Sequence, residues 1–327
     1  MTTRKIRLGA LCVGEYSFWP IWMKALTATS PLGAPIAGME VTHCWDVNPE
    51  QAAGFGDQHG CEPVDRFDAM LGQVDAIAFG GLYEVPWQHL LARPYVDAGL
   101  PTYLSRPFAY SLRDIDSLLE LAAKRNTPLM ATNVFEHFPQ ATILRDRLSA
   151  IGKVKSAFGS CHSSEYPGHF HLPSFVHRVF GYDVEAVSLL TDDAWSCAYL
   201  QQTLLFSGND AHPPFLASLH ASRDVPYLSM RVIGDRGSDE TEVTRSSDEG
   251  ETLYHFFAPQ IMAMQRTFQG NLFQPLDVIR RKLQIFLTGY YSHLERRGAL
   301  VPVDELPADW SPPPPRPGWI DDSVFKL

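Results

Sequence analysis

Four side chains in the middle of the chain have the chemistry of metal ligands or of acid-base groups. They form the pattern H-x-x-E-x-x-x-H-x-H and are His162, Glu165, His169 and His171. Neutral imidazoles together with a carboxylate are ligands for Zn, Mn or Fe ions, and a catalytic metal site keeps one position open for water. The alternative is that His169 and His171 hydrogen-bond the hydroxyl groups of a substrate, with His162 on a strand outside the site. The spacing matches no metal motif with a known mechanical basis, so the metal site is the minority hypothesis.

A second group of residues, near the N-terminus, has the order of a dinucleotide site. Such a site needs a glycine-rich turn after the first strand and an acidic residue at the end of the second strand, which Asp46 provides. The positions expected to read G-x-G-x-x-G contain Cys12-Val13-Gly14-Glu15-Tyr16-Ser17, so only the middle glycine is present. Glu15 also places a negative charge beside the expected phosphates. Whether NAD or NADP is retained is therefore left open.

Strands and helices alternate through residues 1–138. Candidate strands cover 6–11, 40–47, 74–79, 101–104 and 128–131. Helices are expected between them, including a short one over 65–71 and one over 112–124 with Ser111 as its N-cap. Only crossover helices can join parallel strands at this spacing. The pattern predicts a Rossmann-like, doubly wound parallel sheet, with Gly80 and Gly81 after the third strand among the cofactor-binding residues.

The character of the sequence changes after this region. Strand candidates at 153–163, 184–190, 195–206, 214–221 and 228–233 are separated by Gly, Pro, Asn and Asp turns, as in antiparallel sheets. Apolar residues recur at helical spacing over 275–296. We expect an α+β domain with a largely antiparallel open sheet over 139–306. A Pro-rich tail follows over 307–327, in which the proline run flanked by Trp310 and Trp319 is expected to pack as a strap on its own protein.

Length and composition limit the class of protein. The chain has 327 residues, of which 45% are hydrophobic and 20% charged, and this is typical of a globular protein with more than one core. The net charge of −10 argues against nucleic acid as a partner. The sequence shows no secretory signal and no apolar stretch near the roughly 20 residues that span a bilayer, so we expect no membrane association and a cytoplasmic location. The five cysteines form no CxxC pair, which indicates reduced thiols.

Several segments resemble those of the Gfo/Idh/MocA oxidoreductases, the family of glucose-fructose oxidoreductase and inositol dehydrogenase. The run from Ala98 to Pro107 resembles their "AGKHVLCEKP" segment. Four others match in order: Asn133–Pro139 at the domain junction, Ile151–Val154 at the "iGkv" strand entry, His171–Gly181 at "H-x-x-D-x-x-x-x-x-x-G", and Val232–Gly237 at the "i-G-t-x-G" hairpin. The likeness spans most of the chain and implies the two-domain fold predicted above, together with a homodimer or higher homo-oligomer formed through the second-domain sheet.

The resemblance also implies a set of site residues, with departures at key positions. In the family, the EKP lysine, a histidine and an aspartate four residues before it serve proton transfer. These positions hold Arg106, His171 and Pro167 here. Arginine stays charged, so Arg106 can hold an anionic oxygen but is a poor base, whereas His171 is a suitable proton carrier. The implied substrate-binding residues are Asn133, Glu165, His169, His171, Ser174 and His177, and the implied cofactor-binding residues are Cys12, Gly14, Asp46, Gly80, Gly81 and Arg106.

Three functions remain open from the sequence. The first is an NAD(P)-dependent oxidoreductase acting on a sugar or related polyhydroxylated compound, with Arg106 and His171 as catalytic residues. The second is a hydrolase or lyase on the same scaffold, with or without a metal, motivated by the altered glycine loop, the arginine at the lysine position and the surplus histidines. The third is a binding protein that has lost both the cofactor and turnover.

Overall fold

A computed structural model describes residues 4–14, 16–27, 38–105, 107–162, 170–192, 199–210, 212–222, 228–243, 257–314, 320 and 322–325. The chain divides into two compact units. The first contains residues 1–132, 253–280 and 313–327, and the second contains residues 133–252 and 281–312. The second unit begins close to the predicted domain boundary at residue 138. However, residues 253–280 and the end of the chain group with the first unit.

The first unit contains a six-stranded parallel sheet. Its strands are β1 (Ile6–Leu11), β2 (Met39–Trp45), β3 (Glu62–Pro63), β4 (Ala76–Phe79), β5 (Thr102–Leu104) and β6 (Leu129–Ala131). They lie in the order β3-β2-β1-β4-β5-β6, with every neighbouring pair parallel. Strands β2 and β3 lie on one side of β1, and β4, β5 and β6 lie on its other side, so the strand order reverses at β1. This arrangement confirms the predicted Rossmann-like sheet and makes the carboxyl ends of β1 and β4 its topological switch point.

The described residues form eight α-helices. They are α1 (Trp19–Thr27), α2 (Pro49–His59), α3 (Gln88–Asp97), α4 (Leu112–Arg125), α5 (Pro139–Ile151), α6 (His171–Phe180), α7 (Ala258–Phe268) and α8 (Leu276–Arg296). The predicted N-cap of α4 is confirmed, because Ser111 Oγ accepts a hydrogen bond from the Asp114 amide at 3.1 Å.

The predicted helix over 65–71 is wrong. The segment forms successive turns closed by i to i+3 hydrogen bonds, among them Ala69 N to Arg66 O at 3.1 Å and Gln73 N to Met70 O at 3.0 Å. Gly72, with a φ of 77°, ends the run before a regular helix can form.

The second unit is built on a seven-stranded sheet. Its strands are β7 (Val154–His162), β8 (Val184–Thr191), β9 (Tyr199–Phe206), β10 (Phe215–Ser222), β11 (Leu228–Gly234), β12 (Ser238–Val243) and β13 (Val301–Pro302). They lie in the order β12-β11-β7-β10-β9-β8-β13, and every pair is antiparallel except β7 with β10. The predicted α+β region with a largely antiparallel sheet is thus confirmed. The burial of alternate residues turns one face of the sheet inward and leaves apolar side chains such as Phe158 and Leu216 exposed on the other.

Three further observations bear on the expectations from sequence. None of the described helices is long and apolar enough to cross a membrane. The four described cysteines, Cys12, Cys44, Cys61 and Cys161, are buried and form no disulfide. Trp310 packs edge-on against Tyr291 of α8 at 5.2 Å and donates to Glu295 at 3.1 Å, so the start of the Pro-rich tail packs on its own unit. Trp319 lies outside the described residues.

Candidate active site

His171 is held by the turn that opens the second unit. It is the first residue of α6, half-buried, and its Nδ1 lies 3.0 Å from Nδ2 of Asn133. The ring of Phe135 stacks on the imidazole, with centroids 4.5 Å apart and an interplanar angle of 19°. These two contacts orient the ring of His171.

The Asn133 side chain is itself fixed by a short helical turn over Val134–His137. Its Oδ1 accepts a hydrogen bond from the Phe135 amide at 3.0 Å, and its own amide donates to Oε1 of Glu136 at 2.8 Å, which together make a capping box. Asn133 is completely buried. This burial and its contact with the histidine make Asn133 a positioning residue for His171.

A buried ion pair supports this turn. Nζ of Lys282, on α8, lies 2.9 Å and 3.0 Å from the two carboxylate oxygens of Glu136. The side chains of Lys282 and Glu136 are 1% and 0% exposed. Sequence reasoning missed this pair, although Lys282 interrupts the row of apolar residues on α8, which was a usable signal.

Two of the predicted substrate-binding residues lie in the core of the second unit. Ser174 Oγ donates to the Phe170 carbonyl at 2.7 Å and is buried. His177 is 3% exposed, and its Nδ1 lies 3.1 Å from the carbonyl of Gly181. Burial lowers the pKa of His177 to about 4, so the ring is neutral at neutral pH. Neither residue is included in the site that we propose.

The structure gives the metal hypothesis no support among the described residues. These contain no group of three or more His, Cys, Asp or Glu side chains arranged to hold an ion. His162, at the end of β7, and His171 are described, whereas Glu165 and His169 lie outside the described residues. Arg106 and Pro167 also lie outside them.

In the first unit, the predicted cofactor-binding residues other than Arg106 come together at the switch point. Gly14 and Cys12 follow β1, Asp46 follows β2, and Gly80 and Gly81 follow β4. Cys12 has a φ of 57°, the left-handed conformation that glycine adopts most easily. The backbone thus keeps the shape of the missing first glycine. Burial raises the pKa of the Cys12 thiol well above its usual range, and the carboxylates of Glu84 and Asp46 add to this effect.

Asp46 is turned towards its own loop. One carboxylate oxygen accepts from the Gly14 amide at 2.7 Å and the other from the Asn48 amide at 2.9 Å. Its side chain is buried, and burial raises the pKa of Asp46 against the lowering effect of these amide hydrogen bonds. The oxygens that would receive ribose hydroxyls are already hydrogen-bonded to backbone amides.

The loops that follow β1 and β4 are paired with each other. The Phe18 amide donates to Gly80 O at 2.9 Å, the Leu82 amide donates to Tyr16 O at 2.9 Å, and an antiparallel bridge joins Ser17 and Gly81. Open α/β sheets bind their ligands in the crevice at such a switch point. In this chain, backbone hydrogen bonds cross that crevice.

Trp19 occupies the space beneath these loops. Its indole nitrogen donates to the Leu11 carbonyl at 2.9 Å, and its ring lies so close to Gly80 that a Cβ there would collide with it. Trp19 and Trp22 are both buried and meet edge-on at 5.2 Å, so aromatic rings fill the space beneath the loops. Trp19 was not among the predicted site residues.

The N-terminus of α1 offers few amides to an anion. The helix begins at Trp19 and not directly after Gly14, and its second residue, Pro20, has no N–H. The Ile21 and Trp22 amides both donate to Phe18 O, at 3.1 Å and 2.9 Å. A dinucleotide pyrophosphate needs free amides at this helix end and space above it. The described residues of this loop do not fit that group.

Solved structures of the same fold include dehydrogenases and related oxidoreductases. A putative myo-inositol dehydrogenase from Sinorhizobium meliloti 1021 is 14% identical, with a TM-score of 0.71, covering 91% of this chain and 100% of its own. An oxidoreductase from Agrobacterium radiobacter in complex with NAD+, L-tartaric acid and magnesium is also 14% identical, with a TM-score of 0.71 and coverages of 92% and 99%. The WlbA dehydrogenase from Chromobacterium violaceum in complex with NADH and UDP-GlcNAcA is 14% identical, with a TM-score of 0.70 and coverages of 95% and 98%.

Comparisons of sequence give no match. No protein-family model matches the chain, and no curated protein does. The structural likeness therefore establishes the fold alone. At 14% sequence identity it does not establish that the active-site residues are shared.

Proposed function

Since the chain has the fold of the Gfo/Idh/MocA oxidoreductases, we propose that it is an enzyme acting on a polyhydroxylated small molecule without a nicotinamide dinucleotide. The reaction class is hydrolysis or elimination, and His171 serves as the acid-base group. The observation that carries this proposal is the hydrogen-bonded pairing of residues 16–18 with residues 80–82.

The first unit supports the exclusion of a dinucleotide through three independent features. The paired loops close the crevice, Pro20 and the Phe18 carbonyl reduce the free amides of α1, and Asp46 is engaged with Gly14. The carboxylates of Asp46 and Glu84 also lie beside Cys12, and they would repel an anion. A pyrophosphate would have to break these contacts before it could bind.

The second unit supports chemistry at His171. A half-buried imidazole held by Asn133 and Phe135 is a positioned proton carrier of the kind that general acid catalysis needs. In hydrolysis, the C–O bond of the substrate breaks and the departing oxygen receives a proton from the imidazolium form of His171. Water adds to the carbon and gives up a proton to the neutral ring that remains. In elimination, the same oxygen departs with that proton while the neighbouring carbon loses a proton to solvent or to a second base.

Three residues enter the proposal on the sequence and the resemblance alone. Glu165 and His169 contact the substrate, and Arg106 holds an anionic oxygen. Since Arg106 stays charged and is a poor base, it stabilises negative charge and does not abstract a proton.

The second candidate is an NAD(P)-dependent oxidoreductase on a sugar or related compound. Structures of the same fold in complex with NAD+ or NADH favour it. It requires the loops after β1 and β4 to separate, so that binding would be coupled to the loss of the hydrogen bonds between them.

Binding measurements on the full chain test the two candidates. We expect calorimetry and nucleotide fluorescence to show no saturable binding of NAD+, NADH, NADP+ or NADPH. We expect a panel of sugars, sugar acids, polyols and glycosides, followed by proton NMR without added nucleotide, to include a compound that is converted. Saturable dinucleotide binding with turnover that depends on it overturns the proposal in favour of the second candidate. A compound that binds without turnover overturns it in favour of a binding protein.

The open face of the second-unit sheet is the proposed homodimer surface. Phe158, Leu216 and Tyr199 are 48%, 45% and 59% exposed on adjacent strands β7, β10 and β9. These apolar side chains share the open face with polar ones such as Ser218 and His220, and exposed apolar groups on an uncovered sheet face are a feature of interaction surfaces. A second copy of the chain, seated face to face, would cover it.

A further inference from the structure

We infer that Gln88 keeps the loop after β4 in the position that closes the crevice, so that Gln88 is a positioning residue for residues 80–82. The inference deepens the proposed exclusion of a dinucleotide and rests on it for its functional meaning. Gln88 acts through Gly81, whose two neighbours take part in the hydrogen bonds across the crevice.

The Gln88 side chain joins the loop after β4 to the segment after β5. Its Nε2 donates to the Gly81 carbonyl at 3.2 Å, and its Oε1 accepts from the Ser105 amide at 2.9 Å. A carbonyl oxygen only accepts and a backbone amide only donates, so these partners determine which end of the side-chain amide faces which segment. Gln88 thus spans the carboxyl ends of two neighbouring strands.

The hydrogen bonds across the crevice leave the Gly81 carbonyl to Gln88. They involve the carbonyl of Gly80 and the amide of Leu82, which are the two neighbours of Gly81 in the chain. The Gly81 carbonyl accepts from Gln88 instead. Movement of Gly81 away from Gln88 would therefore displace both neighbours, and with them their bonds to residues 16–18.

Gly81 is also enclosed beside its Cα. A Cβ at this position would collide with the Cβ of Cys12 and with the carboxylate of Glu84. Both of these side chains are buried. The backbone of residue 81 is therefore packed from the side, while its carbonyl is oriented by the bond from Gln88.

Gln88 is itself anchored at the start of α3. It is the first residue of that helix and is completely buried. The next amide, that of His89, donates to the Phe108 carbonyl at 3.0 Å, in the same segment that follows β5. Two consecutive residues of α3 therefore bind this segment, and Gln88 reaches Gly81 from a supported position.

Burial of Gln88 makes its bond to Gly81 costly to break. A buried polar group that loses its partner pays the cost of its desolvation without compensation. Opening of the crevice would separate the Gly81 carbonyl from Nε2 of Gln88. We expect this bond to reduce the population in which the crevice is open by about 5–30-fold.

Native-state hydrogen exchange of the full chain, followed by NMR, measures this population. Where closing is faster than chemical exchange, the exchange rate of an amide is proportional to its open population. In Gln88→Met, we expect the Phe18 and Leu82 amides to exchange about 5–30-fold faster than in the wild-type chain. The Asp75 amide, which donates to Arg7 O at 2.8 Å at the other end of β4, should exchange at an unchanged rate.

Two results with Gln88→Met would contradict the inference. Equal acceleration at Phe18, Leu82 and Asp75 would mean that the substitution destabilises the unit as a whole. Unchanged exchange at Phe18 and Leu82 in a folded variant would mean that Gln88 does not hold the loop.

Thr127→Val is the matched control. Thr127 Oγ1 donates to the Val96 carbonyl at 2.8 Å, a buried side-chain bond at the opposite end of the same helix α3. Its removal should leave the ratio of the Leu82 exchange rate to the Asp75 exchange rate unchanged. A change in this ratio as large as that in Gln88→Met overturns the inference, since any weakening of α3 would then open the crevice.

The wild-type chain provides a second measurement, which does not depend on the folding of a variant. The hydrogen that Nε2 of Gln88 donates to Gly81 should be protected from exchange to the same degree as the Leu82 amide, because one opening releases both. Rapid exchange of both Nε2 hydrogens overturns the inference. These measurements use no substrate and no nucleotide, so failure of the inference appears in exchange rates, whereas failure of the proposed function appears in the binding and conversion measurements.

Discussion

Nζ of Lys282 bridges both carboxylate oxygens of Glu136, at 2.9 Å and 3.0 Å, in a part of the second unit from which solvent is excluded. Breaking such a pair by removing one partner leaves an uncompensated buried charge, which typically costs about 3–5 kcal/mol. We expect Lys282→Met to lower the free energy of unfolding by this amount in urea denaturation. The double variant Lys282→Met with Glu136→Gln should recover a large part of the loss.

The exposed pair Arg125 and Asp97 is the control for this prediction. Its atoms are 3.0 Å apart, but the side chains are 45% and 52% exposed, so Arg125→Met should cost no more than about 1 kcal/mol. Equal losses in the two single variants would mean that burial of Lys282 and Glu136 does not determine their energetic role.

His177 makes the stability of the second unit dependent on pH. Its pKa is lowered to about 4 by burial, from an ordinary value of 6.5 in the unfolded chain. Above pH 6.5 both states are neutral and stability is unaffected. As the pH falls from 6.5 towards 4, the unfolded chain takes up the proton first, so stability is lost by up to about 3 kcal/mol.

Urea denaturation at a series of pH values measures this effect. In His177→Gln, the part of the pH dependence between 6.5 and 4 that His177 causes should disappear. A variant whose stability falls with pH as steeply as that of the wild-type chain would show that His177 is not the group responsible.

Gly80 is required by the position of Trp19. A Cβ at residue 80 would collide with the indole ring, so we expect Gly80→Ala to destabilise the first unit by about 1–3 kcal/mol. Combining it with Trp19→Leu should cost less than the sum of the two single changes, because the collision is removed. Differential scanning calorimetry of the four proteins measures the coupling.

Gly54→Ala is the matched control for Gly80→Ala. Gly54 lies within α2, is exposed, and a Cβ there meets no atom within 4 Å. Alanine is a better helix former than glycine, so this variant should gain up to about 1 kcal/mol. A loss at Gly54 as large as that at Gly80 would contradict the role given to Trp19.

His171 is expected to dominate the nucleotide-independent reaction. Loss of a general acid typically lowers the rate by about 10²–10⁴-fold, and we expect His171→Gln to reduce kcat/KM within this range. His59→Gln, at the end of α2 in the first unit, should leave kcat/KM within a few-fold of the wild-type value. Comparable losses in the two variants would remove His171 from the proposed mechanism.

The exposed sheet face should control association. We expect Leu216→Lys on β10 to shift the chain from a dimer to a monomer in light scattering coupled to gel filtration, since it places a charge in the proposed interface. Leu272→Lys, a change at an exposed apolar residue of the first unit, should leave the oligomeric state unchanged. A monomeric wild-type chain would contradict the dimer proposal outright.

Local signals in the sequence predicted the local structure well. Apolar runs predicted the strands of both sheets except β3, β12 and β13, which are short or lie at a sheet edge. Ser111 was recognised as the cap of α4 because capping depends on neighbours in sequence. The helix predicted over 65–71 does not form. The apolar residues of this segment fit one helical turn, but Gly72 ends the series of turns before a regular helix can develop. Periodicity alone cannot show where a short run will stop.

Contacts between residues far apart in the sequence could not be predicted from residue type and spacing. Glu136 and Lys282 are 146 positions apart, and nothing in the spacing of either residue indicates the other. The pairing of Tyr16 with Leu82 depends on the order of strands in the sheet, which brings the ends of β1 and β4 side by side. The same limit applies to residues 253–280, which rejoin the first unit after the chain has built most of the second.

The late start of α1 determines how the proposed lack of dinucleotide binding could be reversed by engineering. Restoring glycine at positions 12 and 17 would change two side chains but leave Pro20 in the first turn and Trp19 beneath the loop. The helix would have to be rewound back to Gly14 and its aromatic support replaced. The proposed barrier to nucleotide binding is thus one of chain path, and removing it needs the exchange of a segment as well as point substitutions.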